Sequence, residues 1–399
     1  MTVVLFMLGY GLVTIPSVLY SGSIAVLKLF DVPELLQLDY GTSLVLTIMV
    51  IGALGASYAI LGGLRAVAVS DTLNGVGLLI VGVAVPWLGL RALGEGSVGV
   101  GLNMVLTTET QKLNAIGGPT DPTPFATLFT GMVFANLFYW CTNQYVIQRT
   151  LAARSLAEGQ KGVLLSGFFK VLVPLLMMIP GVVAYHLYGP ELQSIDLAYP
   201  QLVRDVLPVY ATGFFLAVLL GAVLSSFNSL INSASTLFCI DVYQPLIGRA
   251  VSDAEMVRVA KRVGLVMTGF SLLVAPLLQF AAEGLWQVIR IFTGFYNIPM
   301  IAIVMIGLFT RRVPAVAAKV VIIFHIAAYG TFQFVLKDLV PVHFLHLYAI
   351  LFVLEVAMML AIGMRHPRQE EATIRQTAEV DLTPWAYAQP CALTLLSCV

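Results

Sequence analysis

The sequence predicts an all-helical, multi-pass membrane protein with about ten transmembrane helices. The 399-residue chain is 59% hydrophobic and only 11% charged, and its mean hydropathy is +0.92. A soluble domain carries about 25% charged residues, so this chain could not cover its surface in water. The 21 basic and 21 acidic residues cancel, which argues against a nucleic-acid partner. The lipid bilayer is therefore the expected environment.

Ten apolar stretches are long enough to cross a bilayer, which takes about 20 residues of helix. The stretches are nearly continuous rather than alternating in polarity, and this favours helices over a β-barrel. We expect the helices near residues 3–27, 43–61, 73–93, 125–148, 163–187, 206–238, 263–281, 285–309, 314–336 and 343–363.

The distribution of Lys and Arg predicts the orientation of these helices. One alternating set of connections holds 14 of these residues and the other set holds five, while two lie within helices. Cytoplasmic loops retain positive charge. Residue 1 is therefore predicted to be cytoplasmic, and the connection 94–124 to be extracellular, in a protein of the cell membrane.

Motifs for enzymatic chemistry are missing from the sequence. The four cysteines form neither a C-x-x-C motif nor the framework of a small secreted domain. The sequence has no nucleophile elbow, phosphate-binding loop or H-E-x-x-H motif. We therefore expect neither an enzyme nor an organic cofactor.

The fourth helix carries Asn136, Tyr139 and Trp140 near the middle of the bilayer. Asn136 lies about 11 residues, or about 17 Å, from the outer end of this helix. The fifth helix reaches Lys170 after about 8 residues, or roughly 12 Å, from the cytoplasm. Polar groups at this depth are costly unless partnered. Asn136 and Lys170 lie at a similar depth on neighbouring helices, so we expect that they can meet and mark a functional site. Interhelical hydrogen bonding for Asn136 and an interfacial belt for the aromatic residues are the alternatives.

The sixth helix holds a stripe of hydroxyl and amide side chains on one face. Their spacing is i, i+4, i+7, i+8, i+11, and the stripe comprises Ser225, Ser229, Asn232, Ser233 and Thr236. Small residues of this kind often mark close packing between helices. Hydroxyl and carbonyl oxygens are also suitable ligands for sodium. The pattern alone leaves both interpretations open.

Ionisable residues in or near other helices have simple alternative explanations. Asp71 begins the third helix, where capping of a helix N-terminus is the default interpretation. Glu355 lies deep in the tenth helix and is a candidate proton carrier. Arg290 lies about five residues from the outer end of the eighth helix, and its long side chain could snorkel from there to the membrane surface. His343 and His346 lack supporting carboxylates, so we expect no metal site there.

Two long motifs resemble the sodium/solute symporter family, and in particular its sodium/glucose and galactose cotransporter branch. Residues 139–154, YWCTNQYVIQRTLAAR, with the continuation to Gly162, are similar to the signature loop of that family. Residues 225–236, SSFNSLINSAST, followed by Asp241-Val242-Tyr243, are similar to a second motif. The resemblance extends from residue 1 to about residue 390 and is weakest in the connection 94–124.

The resemblance implies a five-plus-five inverted-repeat fold, with broken helices around a site at the membrane midplane. Two core helices and one extra helix before them would precede residue 1, and the apolar run after residue 384 is short, so the chain is expected to be truncated at both ends. The implied parts are the three-helix end of the first repeat (1–93), an extracellular loop (94–124), the five-helix second repeat (125–309), two peripheral helices (310–364) and a cytoplasmic tail with the start of a further helix (365–399).

The resemblance also implies which residues contact the solute. Asn136 and Lys170 correspond to solute-contacting positions, Tyr139 to an aromatic inner gate beneath the sugar, and Trp140 to a residue behind that gate. The sugar branch has glutamine where this chain has Arg290. A guanidinium at this position would favour an acidic sugar or another anion.

For the coupling ion, the resemblance implies sodium as the only metal. The carbonyl of Ala222 and the hydroxyls of Ser225 and Ser226 correspond to the sodium site. Asp71 corresponds to a carboxylate on the path of sodium towards the cytoplasm. The expected function is sodium-coupled symport of a polar organic solute, sugar-like first and carboxylate-bearing second. Proton coupling through Asp71 or Glu355, and a membrane sensor that keeps the fold without transport, remain alternatives.

Overall fold

The computed structural model describes residues 1–114, 116–119, 121–192, 195–248, 251–280, 284–337, 339–370 and 380–398, without the side chains of residues 59–70 and 190. Throughout these residues the regular elements are helices. They are α1 (Thr2–Gly9), α2 (Ile15–Phe30), α3 (Val32–Leu36), α4 (Tyr40–Leu93), α5 (Val98–Thr107), α6 (Gly131–Cys141), α7 (Gln144–Leu151), α8 (Leu156–Val173), α9 (Ile179–Tyr188), α10 (Ala198–Val206), α11 (Val209–Phe238), α12 (Gln244–Ile247), α13 (Asp253–Val274), α14 (Leu285–Phe309), α15 (Ala315–Thr331), α16 (Phe344–Arg365) and α17 (Ala388–Ser397).

Single π-helical turns join several of these helices without ending the span. They lie at Tyr10–Thr14 between α1 and α2, at Pro174–Met178 between α8 and α9, and at Cys239–Tyr243 between α11 and α12. Such turns are rare in proteins and occur often at functional sites.

Nine long apolar helical segments within the described residues confirm nine of the ten predicted spans. They are Thr2–Phe30, Tyr40–Tyr58, Asp71–Leu93, Leu156–Tyr188, Val209–Ile247, Asp253–Phe280, Leu285–Phe309, Ala315–Leu336 and Phe344–Arg365. The protein is therefore a multi-pass membrane protein.

The prediction of one continuous helix over residues 125–148 is wrong. This stretch consists of a 3₁₀ turn at Phe125–Phe129, the helix α6 and the helix α7. The backbone leaves the helical conformation at Thr142, where φ is −131°. The carbonyl of Phe138 accepts the backbone N–H groups of Thr142 and Asn143, each at 3.0 Å, and the hydroxyl of Thr142 at 2.9 Å. Apolar composition alone does not reveal such a break.

The chain divides into two compact units. Unit 1 comprises Met1–Val13, Ile116–Leu151 and Trp286–Asp381, and unit 2 comprises Thr14–Ala115, Ala152–Leu285 and Leu382–Val399. The core of unit 1 contains Phe138, Tyr296, Tyr329 and Tyr348 from α6, α14, α15 and α16. Part of the core of unit 2 is aliphatic and contains Val85, Val183, Leu202 and Val218 from α4, α9, α10 and α11.

The two halves of α4 both pack against the same part of α11. Gly55 lies against Phe227, while Asp71 contacts Ser225. In a straight helix Gly55 and Asp71 would be about 24 Å apart, at 1.5 Å per residue. The two halves of α4 therefore cannot be collinear, and they form two separate membrane crossings.

The connection 94–124 was expected to be a loop, but it contains the helix α5. An added Cβ at Gly101 would collide with the carbonyl of Leu90. The absence of a side chain at Gly101 thus allows α5 to fold back tightly on the end of α4. Within residues 365–399, where the start of a further helix was expected, the structure has the helix α17.

Candidate functional site

The predicted sodium residues of unit 2 lie on one face of α11, next to α4. Ala222, Ser225 and Ser226 are spaced i, i+3, i+4 and therefore share a helix face. The hydroxyl of Ser225 donates a hydrogen bond to the Oδ1 atom of Asp71. Two residues that are 154 positions apart in sequence thus meet in one oxygen-rich cluster. Carboxylate, hydroxyl and carbonyl oxygens are the ligand types that a hard cation requires.

The capping role considered for Asp71 is wrong. The helical backbone of α4 continues on both sides of this residue, so no helix begins there. Asp71 points its carboxylate at a hydroxyl of another helix instead. Asp71 is the first residue of the span Asp71–Leu93, and a carboxylate that contacts a polar group of another span is a candidate functional group.

The close approach of α4 and α11 depends on a glycine beside this cluster. An added Cβ at Gly221 would lie 2.6 Å from the Cγ atom of Asn74, which is far below van der Waals contact. One turn further along, Val218 fills the space beside Gly77. Gly221 therefore lets α4 pack closely enough for Asp71 to reach Ser225.

The hydroxyl stripe of α11 is divided between buried and accessible side chains. Ser229 and Ser233 are buried, and the hydroxyl of Ser229 donates to the carbonyl of Ser225 at 2.8 Å. Ser225 and Ser226 are only half-buried, and Thr236 is exposed. The buried part of the stripe packs helices, whereas the sodium role of Ser225 and Ser226 stays a prediction.

The predicted solute residues of unit 1 lie on α6, immediately before its break. Asn136, Tyr139 and Trp140 are spaced i, i+3, i+4, and all three are exposed. The side-chain amide of Asn136 donates to the carbonyl of Met132 at 2.9 Å. Both residues lie on α6, so this hydrogen bond does not link two helices. The rings of Tyr139 and Trp140 meet edge to face with their centroids 5.0 Å apart. These side chains present an amide and two aromatic surfaces on one face.

The break after α6 is held by a tyrosine that the sequence analysis did not single out. The hydroxyl of Tyr10 donates to Oδ1 of Asn143 at 2.7 Å and accepts the backbone N–H of Tyr145 at 3.4 Å. Tyr10 is fully buried, and Asn143 is 3% exposed. The hydroxyl of Tyr145 in turn donates to the hydroxyl of Tyr139 at 2.8 Å. In the sequence, the position of this tyrosine within the otherwise apolar stretch 3–13 could have identified it as a candidate structural residue.

Arg290 is buried at the start of α14 and does not snorkel. Only 8% of it is exposed. Its Nη1 atom donates to the hydroxyl of Thr123 at 2.7 Å and to the carbonyl of Pro122 at 3.2 Å. The guanidinium also lies over the ring of Phe344, 5.7 Å from its centroid. Arg290 therefore anchors the segment before α6 to α14, and its role towards a solute stays a prediction.

The other ionisable candidates have defined surroundings. Lys170 is exposed on α8 of unit 2, whereas Asn136 belongs to unit 1, so the expectation that they meet also stays a prediction.

His343 accepts a hydrogen bond from the N–H of Leu345, and His346 contacts the hydroxyl of Thr130 at 2.9 Å. In the described part of the chain, no group of three or more His, Cys, Asp or Glu side chains could hold a metal ion.

These features together define a class of protein. Long apolar helices, one of them broken beside exposed polar and aromatic groups, are typical of secondary transporters, in which discontinuous helices bind solutes and ions. The profile of the sodium:solute symporter family matches residues 12–323. The chain belongs to this family, and sodium is the coupling ion of the class.

Individual relatives agree with this assignment. The chain is 44% identical over 391 residues to the uncharacterized symporter YidK of Escherichia coli (strain K12), covering 98% of this chain and 68% of that protein. It is 30% identical to the sodium/glucose cotransporter of Vibrio parahaemolyticus, covering 76% of this chain and 58% of that protein. These relatives are transporters, and the chain spans only about two thirds of their length or less.

A solved structure shows the same fold. It is the substrate-bound, outward-open state of a Na⁺-coupled sialic acid symporter, with a TM-score of 0.76 and 21% identity. The match covers 92% of this chain and 75% of that one. The five-plus-five transporter architecture expected from the resemblance is thereby confirmed.

Proposed function

We propose that the protein carries out sodium-coupled symport of a polar organic solute, with a sugar as the first expectation. The observation that carries the proposal is the contact between Ser225 and Asp71, which brings a hydroxyl and a carboxylate together. In the proposal, Ser226 and the carbonyl of Ala222 complete the sodium site. Among common cellular ligands, a dehydrated alkali cation suits such an all-oxygen cluster.

Sodium binding would rearrange this cluster. A hydroxyl that donates to a carboxylate still has lone pairs on its oxygen, so Ser225 can turn its lone pairs to an ion that Asp71 also ligates. The ion would neutralise the charge of Asp71 and link α4 to α11. Sodium occupancy favours the outward-facing state and its release the inward-facing state, by differential affinity for the two. The coupling between ion and solute is reciprocal and is commonly about 1–3 kcal/mol.

The exposed face of α6 supports a sugar as the solute. The rings of Tyr139 and Trp140 offer apolar faces to the C–H side of a sugar, and Asn136 offers hydrogen bonds to its hydroxyls. Lys170 of unit 2 is proposed separately as a solute contact. The glucose cotransporter among the relatives points in the same direction. Tyr139 acts as the inner gate in this proposal, because its hydroxyl already bonds to Tyr145 across the break of α6.

Arg290 favours the second candidate, an anionic or carboxylate-bearing solute. A buried guanidinium is a strong, directional partner for a carboxylate. Binding of such a solute would compete with the bonds to Thr123 and Pro122. The substitution Arg290→Gln distinguishes the two candidates. It should abolish uptake of a uronic acid if the solute is anionic, and should leave uptake of the neutral sugar if it is not.

Uptake by the full chain in lipid vesicles tests the proposal. An inward sodium gradient should drive accumulation of a labelled neutral sugar or uronic acid, and replacement of sodium by choline at constant pH should abolish it. Uptake that persists in choline and follows a proton gradient would establish proton coupling instead. Sodium-dependent solute binding without accumulation would establish the membrane sensor.

A further inference from the structure

Three side chains from α15 and α16 of unit 1 donate hydrogen bonds to the backbone of α14. The hydroxyl of Tyr348 lies 2.5 Å from the carbonyl oxygen of Arg290, and the hydroxyl of Tyr329 lies 2.9 Å from that of Ile291. The Nε2 atom of His325 lies 2.9 Å from the carbonyl oxygen of Gly294. One turn of α14 is thus held from outside at three of its carbonyls.

The identity of residue 294 makes this contact possible. An added Cβ at Gly294 would collide with the hydroxyl of Tyr348 and would lie 2.6 Å from that of Tyr329. Both tyrosines are fully or almost fully buried. Only a residue without a side chain allows both hydroxyls to approach the helix backbone. The hydrogen bonds of Tyr329 and Tyr348 to α14 therefore depend on glycine at position 294.

The protonation of His325 follows from its partners. A carbonyl oxygen can only accept, so Nε2 must carry a hydrogen to bond with Gly294. The Nδ1 atom lies 2.5 Å from Oε1 of Glu355. One further proton lies between these two atoms, whether on the nitrogen or on the oxygen, and in both cases the pair has no net charge.

The surroundings make this proton difficult to gain or lose. The side chains of His325 and Glu355 are both 0% exposed. Tyr329 of α15 stacks on His325 with ring centroids 5.6 Å apart, and Tyr348 of α16 lies beside Tyr329.

Among the described residues, the only ion-pair partner of His325 or Glu355 is the other member of the pair. The guanidinium of Arg290 on α14 is bonded to Pro122 and Thr123, and α6, which also packs on α16, contributes only Tyr139 and Cys141 as ionisable residues. A proton added to or removed from the pair would leave an unbalanced charge in the apolar interior, which is strongly unfavourable.

We propose that His325, Glu355, Tyr329 and Tyr348 form a clamp that retains one proton throughout transport and positions Arg290 through the backbone of α14. The clamp acts on the carbonyl of Arg290 itself, so its loss displaces the guanidinium relative to Thr123. Glu355 is then a positioning residue and not a carrier of a coupling proton. This inference rests on the proposed role of α14 in solute binding.

The substitutions separate the positioning role from a simple loss of folding. Glu355→Gln keeps a donor for Nδ1, because the side-chain amide replaces the shared proton, and should leave the half-saturating solute concentration within about twofold of the unmodified value. Glu355→Leu and Gly294→Ala should raise that concentration by about fivefold or more. The half-saturating sodium concentration, set in unit 2, should change little.

Gly307→Ala is the matched control on the same helix, because an added Cβ at Gly307 meets nothing within 4 Å. Uptake should have the same pH profile in the unmodified protein and in Glu355→Gln. A pH dependence that Glu355→Gln abolishes would show that Glu355 carries a coupling proton and would overturn the proposal. Unchanged solute affinity in folded Gly294→Ala or Glu355→Leu would overturn it as well.

A measurement without transport keeps the inference separate from the proposed function. In the full chain labelled with ¹⁵N-histidine, the His325 resonances, assigned by their loss in His325→Gln, should not change between about pH 5 and pH 8. Titration of His325 in that range would overturn the proton-retaining clamp even if sodium-driven uptake is intact. Absence of uptake with constant His325 resonances would refute only the proposed function and the positioning of Arg290 for solute.

Discussion

The hydroxyl of Ser225 on α11 donates a hydrogen bond to the carboxylate of Asp71 on α4. Each residue by itself could have a purely structural role, since serine is common at helix contacts and aspartate at helix ends. Their contact changes the interpretation, because it brings a carboxylate and a hydroxyl of two different spans together. The sodium proposal depends on this pair more than on any single motif.

Removing a ligand oxygen should weaken sodium binding specifically. We expect Ser226→Ala to raise the sodium concentration for half-maximal uptake by about tenfold, which corresponds to about 1.4 kcal/mol. Thr236→Ala is the matched control, because Thr236 is exposed on the same helix, away from the cluster. Equal sodium dependence in Ser226→Ala and the unmodified protein would refute the role of this hydroxyl.

Widening the contact between α4 and α11 should act on the same site without removing any ligand. Gly221→Ala places a methyl group where the side chain of Asn74 lies, and overpacking of this kind costs about 1–3 kcal/mol. We expect a lower unfolding temperature and weaker sodium binding. Gly213→Ala on the same helix meets nothing within 4 Å and should change neither quantity. Similar behaviour of the two variants would contradict the explanation.

The hydroxyl of Tyr10 should stabilise the break between α6 and α7. In Tyr10→Phe, the buried oxygen of Asn143 loses its donor, which costs about 1–3 kcal/mol. We expect thermal unfolding at a lower temperature and faster hydrogen exchange at the N–H of Tyr145. Tyr210→Phe provides the control, because Tyr210 is 89% exposed. Unchanged exchange at Tyr145 would show that Tyr10 does not hold the break.

Lys170 should affect solute binding rather than membrane insertion. We expect Lys170→Ala to reduce solute uptake by about tenfold or more at low solute concentration, since a charged hydrogen bond contributes about 1.5–3 kcal/mol. Lys161→Ala, on the same helix, removes an exposed pair with Glu158 and a contact with the ring of Trp385, and should have little effect on solute uptake. Normal uptake by Lys170→Ala would remove this residue from the proposed site.

Much of the architecture follows from local properties of the sequence. Twenty apolar residues in a row have few stable arrangements in a bilayer other than a helix. Nine spans were therefore predictable from composition, and family membership was predictable from the motifs at residues 139–154 and 225–236. The broken span 125–148 was not, because the residues at the break are as compatible with a continuous helix as with an interrupted one.

The partners of the polar residues required the tertiary structure. Sequence alone placed Glu355 in a span and offered it as a proton carrier, but gave no means to find His325 on the preceding helix. It placed Arg290 near the outer face without showing the hydroxyl of Thr123 that the guanidinium binds. Hydropathy depends on each residue's own transfer free energy, whereas the role of a buried charge depends on which atoms lie within about 3 Å of it. Helix packing alone determines those neighbours.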